Sequence, residues 1–318
     1  MSELSEQIAA YSTIESIVKE NPPSRDFPLS LPAHIFPTLI RILTFFLLFS
    51  FSGALSIGAS FVFSYGPMEG FGMLITGVGL ILGAIFSYYF VAKKLEGRFP
   101  EELSIKGFSD LLYGIGLGSS AILLSAVIIS LMGGLSFKAA RPIQEIAWVE
   151  HLIMTGFFSG VVEEIIFRGI LFRYFEQKSG SLTAIIGSSI LFGIGHLLSP
   201  GANIFTVLAS VIEAGFFFSI IYIITRSLWW VIGTHAAWNF VQSIILGIPV
   251  SGNFNEGLIV SQANGPDILS GGSYGLEASI VTFILISSLS ALSFWWAHKE
   301  GLLLSRDSVQ QYMNHIGS

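Results

Sequence analysis

The chain has no cysteine, so disulfide bridges and thiolate metal ligands are excluded. It is also poor in charge: 11% of its 318 residues are Asp, Glu, Lys or Arg, against roughly 25% in a soluble domain. The N-terminus does not follow the basic–apolar–small pattern of a cleaved signal peptide. What is abundant is apolar side chain, at 52%, arranged in long blocks. These features predict an all-α fold, a polytopic membrane bundle, because lipid offers no partner to loose backbone groups.

About eight spans of suitable length are predicted: 36–64, 71–92, 111–136, 148–171, 182–198, 203–224, 228–247 and 277–297. The organisation expected is a tail at 1–35, N-terminal spans at 36–140, a second membrane unit at 141–300 and a tail at 301–318. Ile8, Tyr11, Ile14, Ile17 and Val18 suit one face of a short helix lying on the membrane surface. With the N-terminus in the cytoplasm, 12 of the 15 Lys and Arg fall inside, and only Lys138 and Arg141 fall outside. Arg168 lies within a span. This bias predicts that both termini are cytoplasmic in an integral protein of the cell membrane. Segment 248–275 lacks Lys and Arg and reads as an outer loop folded back over the helices. Glycines such as Gly114, Gly116, Gly118, Gly156 and Gly160 suit close helix packing.

Few polar groups remain inside the spans, and each is costly there. The fourth span carries Glu163, Glu164 and Arg168. His196 ends the fifth, Glu213 lies on the sixth, and His235 and Asn239 lie on the seventh. Glu164 and Arg168 are four apart and can pair on one helix face. Glu163 points about 100° away, free to face a cavity. His235 and Asn239, also four apart, project together. Such a set suits hydrolysis. A carboxylate can take a proton from water, an imidazole can orient that water, and an amide with a second imidazole can stabilise an oxyanion. Glu163, His196 and His235 are also a chemically suitable zinc set, although no His-Glu-x-x-His helix is present. Each element alone has a plainer reading, as a structural ion pair or an interhelical hydrogen bond. Their joint occurrence favours one common site. Glu213 has no role that its sequence context assigns. The Trp and Tyr residues near span ends read as interface anchors.

The three patterns Glu163-Glu164-x-x-x-Arg168, Phe192-x-x-x-His196 and His235-x-x-x-Asn239 resemble the CPBP (CAAX protease and bacteriocin-processing, or Abi) family. That family is related to the type II CAAX prenyl endopeptidases. The likeness covers about 145–247. It implies an intramembrane endopeptidase in which Glu163 activates water with His196. His235 and Asn239 would form the oxyanion site, with Glu164 and Arg168 in support. Family members are labelled metalloproteases, and a metal-free glutamate mechanism is also proposed for them, so zinc stays open. The implied partners are a peptide or membrane-protein substrate, prenylated or not, and the lipid bilayer. Nucleic acid is not expected. A non-catalytic scaffold or immunity protein is the alternative, and a proton- or cation-coupled transporter is a further one. Helix depths require the fifth helix to be short, tilted or displaced, and they predict a cavity open to the cytoplasm.

Overall fold

The computed structural model describes residues 38–62, 71–146, 148–254 and 256–309. The surface helix expected near Ile8–Val18 and the two termini lie outside the described residues. Among the described residues the chain forms eight long helical runs, one on each apolar block. Helix α1 is Thr38–Val62, α2 is Phe71–Phe90 and α3 is Asp110–Leu131. Run α4 (148–179) is continuous but alternates in winding. Its α-helical parts Trp148–His151, Ser159–Glu164 and Arg173–Ser179 are joined by the wider π-helical Leu152–Phe158 and Ile165–Phe172. Helix α5 is Ser181–Gly195 and run α6 is Ile204–Thr225. Run α7 (228–245) joins Leu228–Phe240 to the π-helical Val241–Ile245, and α8 is Ile280–Lys299.

Six of these helices are long and apolar enough to cross a membrane. The other two, α4 and α7, carry Glu163, Glu164, Arg168, His235 and Asn239. Their surroundings explain how a membrane protein tolerates them. In Leu228–Phe240, all but Trp229, Trp230 and Phe240 are buried. In α1, by contrast, only 11% of the most apolar stretch is buried. Leu39, Leu43, Leu47, Phe51 and Leu55 form an exposed stripe suited to lipid.

Helix α7 reaches the centre because α3 lets it approach closely. A Cβ on Gly114 would lie 2.1 Å from the Trp230 carbonyl oxygen, and one on Gly118 would lie 2.1 Å from that of Thr234. The two glycines are four apart and face the partner helix backbone, a small-residue seam of the kind that joins helices in lipid. Gly116, expected to pack likewise, faces open space.

Two departures from the sequence expectation concern the loops. The third span ends at Leu131 rather than near 136. Gly133 has φ +82°, and the chain then turns into a strand β1, Leu135–Ala140. This strand pairs antiparallel with β2, Ile259–Ala263, from Leu135↔Ala263 to Ala140↔Ile259, with an irregularity between Phe137 and Ala139. The 248–275 segment therefore does fold back, but partly as a two-stranded ribbon.

Hydrogen bonds define two ends of the bundle. At one, Glu102 lies 2.9 Å from Arg98 and 3.1 Å from Arg173, and it also accepts from the Tyr88 hydroxyl. Trp229 Nε1 donates to Ser104 O, Arg226 pairs with Glu176 at 2.6 Å, and Ser181 N donates to Leu304 O. At the other end lie the ribbon, the turn after α5 and the loop before α8. There Gln242 Nε2 donates to Pro249 O and to Glu277, and Gly252 N donates to Tyr274 O.

Candidate active site

Three runs bring the polar residues together. On α4, Glu164 and Arg168 are fully buried, and Arg168 Nη1 lies 3.0 Å from both Glu164 oxygens, with its hydrogen bond directed at Oε1. The pairing expected from their spacing is present. The remaining guanidinium nitrogen Nη2 donates to the Ala214 and Gly215 carbonyls at 2.5 and 2.9 Å. Those carbonyls lie in the π-helical Val211–Phe216 of α6. The guanidinium also sits over the rings of Phe192 and Phe218, 5.2 and 5.5 Å from their centroids. A buried charge held on so many sides orients its partner carboxylate.

That carboxylate in turn orients His235. Its Nδ1 lies 2.8 Å from Glu164 Oε1. A carboxylate only accepts, so Nδ1 carries the proton and Nε2 is left for other work. His196 is set in the same way by its own helix. Helix α5 ends at Gly195, His196 opens a tight turn, and its Nδ1 donates to Phe192 O at 2.9 Å. The Phe192 ring stacks on the imidazole with centroids 4.6 Å apart. The phenylalanine four residues before the histidine therefore supplies both a carbonyl and a flat wall.

Asn239 is fixed by a residue that the sequence reading did not select. Its Nδ2 donates to Ser159 Oγ at 2.8 Å, and that hydroxyl donates to Thr155 O. The amide keeps a second N–H and its oxygen. Ser159 lies one helical turn before Glu163, and no sequence signal separated it from the chain's many helix-packing serines.

Glu163, His196, His235 and Asn239 line one cavity of about 450 Å³, which Met154, Ser159, Phe167, Ser199 and Ser251 also border. One carboxylate oxygen of Glu163, Oε2, is buried with no hydrogen-bond partner among the described residues. Glu164 and Arg168 do not border this cavity. The adjacent glutamates thus face different surroundings, as their angular separation requires. The fifth helix, Ser181–Gly195, runs on through the tight turn His196–Leu198, so His196 stands at its end.

Glu213 borders a second small cavity of about 40 Å³, together with Glu277, His196, His235 and Asn239. Neither Glu213 oxygen has a partner among the described residues. Glu277 accepts from Gln242 Nε2 at 2.6 Å, and burial pushes its carboxyl up to about 7.

The donor types of Glu163, His196 and His235 would suit zinc. As placed, however, no three His, Asp or Glu residues among the described residues form a group able to hold a metal ion. Each histidine has an open Nε2, but the three side chains do not close on one point.

Residues 145–241 match the family model described as Type II CAAX prenyl endopeptidase Rce1-like. No curated protein matches the chain, and no solved structure matches it. The matched segment contains all three motifs, so the resemblance read from them is shown over that part of the chain. It supports an intramembrane protease of the CAAX type as the general class.

Proposed function

We propose that the Rce1-like segment 145–241 works as an endopeptidase in which Glu163 activates a water molecule. The observation that carries this reading is the shared cavity, where an unpartnered Glu163 oxygen meets His196, His235 and Asn239 from two other helices. Glu163 takes a proton from water as the water oxygen bonds to the scissile carbonyl carbon. The carbonyl π pair moves onto oxygen. The free N–H of Asn239 donates to that oxyanion, and His235, when doubly protonated, donates from Nε2. His196 accepts from the water through Nε2 and aligns it. When the C–N bond breaks, the leaving nitrogen takes the proton held by Glu163. Glu164 and Arg168 touch no reacting atom; they position His235.

This sequence needs no metal. Zinc binding would require Glu163, His196 and His235 to be drawn together, and it remains the alternative chemistry for the same side chains. The substrate bond lies in a membrane-proximal peptide; CAAX-type tails and bacteriocin leaders are the classes that the family resemblance implies.

The test uses the full chain purified in detergent, incubated with a library of unmodified and farnesylated synthetic peptides. Wild type is expected to cleave members of the library. Glu163→Gln is expected to lower the rate by about 10²–10⁴-fold, the range for a lost general base, with thermal stability unchanged. Equal cleavage by both would overturn the reading. Loss of cleavage after chelator dialysis, restored by zinc alone, would favour the metal alternative.

A further inference from the structure

The cavity and the positive charge lie at opposite ends of the bundle. Among the lining residues, Asn253 is the exposed polar one at the mouth, and Ser199, Val250 and Ser251 belong to the same end. No lining residue comes from 93–108, 173–181, 225–229 or 299–306. Those four segments are tied together by the Arg98–Glu102–Arg173, Trp229–Ser104, Arg226–Glu176 and Ser181–Leu304 contacts. They carry nine Lys and Arg, and Arg41 joins them through Glu96 at 3.8 Å. The cavity end carries Lys138 and Arg141 alone among the described residues. Basic residues flanking spans are retained in the cytoplasm. A cytoplasmic N-terminus and a cavity open to the cytoplasm therefore cannot both hold, and the charge asymmetry decides between them.

We propose that the protein cleaves on the non-cytoplasmic face of the membrane, on an uncharged extended stretch of a membrane-anchored or exported polypeptide. This rests on the hydrolytic reading above. The lining supports the substrate class as well as the side. It contains no Lys or Arg, and Glu163 is its one carboxylate. The free carboxylate of a short C-terminal tail finds no Lys or Arg there and meets Glu163, with only the His196 and His235 imidazoles to balance it. An internal segment brings no such charge. Neutral side chains such as Thr155, Ser199 and Asn253 can meet its backbone, and Met154, Phe167 and Val250 can meet its apolar side chains.

The absence of cysteine makes the side directly measurable. Single cysteines are placed at Phe254, exposed beside the mouth, and at Glu101, exposed at the charged end. Intact cells are treated with a membrane-impermeant maleimide, and detergent-opened cells provide the reference. Phe254→Cys is expected to label in intact cells and Glu101→Cys only after opening. The reverse pattern overturns the proposal. In parallel, peptide termini that vanish in a Glu163→Gln strain are mapped on their parent proteins. Termini within non-cytoplasmic segments support the proposal, and termini within cytoplasmic segments overturn it. Absence of any Glu163-dependent terminus overturns the hydrolytic reading and the substrate class with it, while the labelling still decides which way the cavity faces.

Discussion

The two ends of the bundle are built on opposite principles. At the charged end, Arg98, Arg173 and Tyr88 converge on Glu102, and Arg226 and Ser181 converge on Glu176, so every named charge has an opposite close by. Toward the loop end, Glu163 and Glu213 keep buried oxygens without partners among the described residues, beside open space. Satisfied polar networks hold helices together, while unsatisfied groups are costly and are retained where chemistry needs them. The comparison shows how the chain separates the two jobs. α4, α6 and α7 run between both ends, so one end can clamp the helices while the other leaves their side chains unpaired.

Four substitutions break or sharpen that contrast. Glu163→Gln should have the largest effect, a rate loss of about 10²–10⁴-fold with little change in melting temperature. Peptide cleavage and thermal scans on the same preparation separate the two quantities. Glu102→Ala should do the opposite. It leaves Arg98 and Arg173 with the partly buried Glu96 alone, 2.6 and 3.6 Å away, and should cost up to about 3 kcal/mol of stability. Protein that remains folded should cleave at the wild-type rate, and a large rate loss in folded protein would show that the ends are not separate.

The third expectation concerns pH. Burial raises the Glu277 carboxyl to about 7 from an ordinary value of 4.5, so the folded state holds its proton longer than the unfolded state. Its contribution is complete below pH 4.5, declines through pH 7 and is level above. The decline approaches about 1.4 kcal/mol per pH unit and totals no more than about 3.4 kcal/mol. Melting temperature should fall across this window in wild type and lose that dependence in Glu277→Gln. The smallest effect is expected for Ser159→Ala. Removing one hydrogen bond behind Asn239 costs about 1 kcal/mol, which lowers kcat about fivefold. KM should stay constant if Asn239 acts on the oxyanion alone. A change confined to KM would assign Ser159 to substrate binding instead.

Much of this architecture was legible in the sequence because lipid forces apolar residues into long helices. All eight apolar blocks became helical runs, and the four-residue spacing of Glu164 and Arg168 became an ion pair. Angular position alone separated Glu163 from Glu164. Other features left no local trace. The Ser159 contact joins residues 80 apart, and a serine in a membrane helix looks the same whether it anchors an amide or bonds its own backbone. The Arg168 contacts with Ala214 and Gly215 involve backbone carbonyls, which carry no residue signature. The β1–β2 ribbon depends on a pairing between segments more than a hundred residues apart. Which end of the bundle the cavity reaches left no local trace either, because it depends on Val250, Ser251 and Asn253, which a loop beyond α7 brings onto the helices.

The central claim is that Glu163 activates water for attack on a peptide bond. The most direct measurement is cleavage of a responsive peptide in ¹⁸O-labelled water by wild type and Glu163→Gln, purified to equal folded amounts. Wild type should place one label in each new carboxylate, and the variant should produce labelled product at least about a hundredfold more slowly. Equal rates of labelled product from the two proteins would contradict the account.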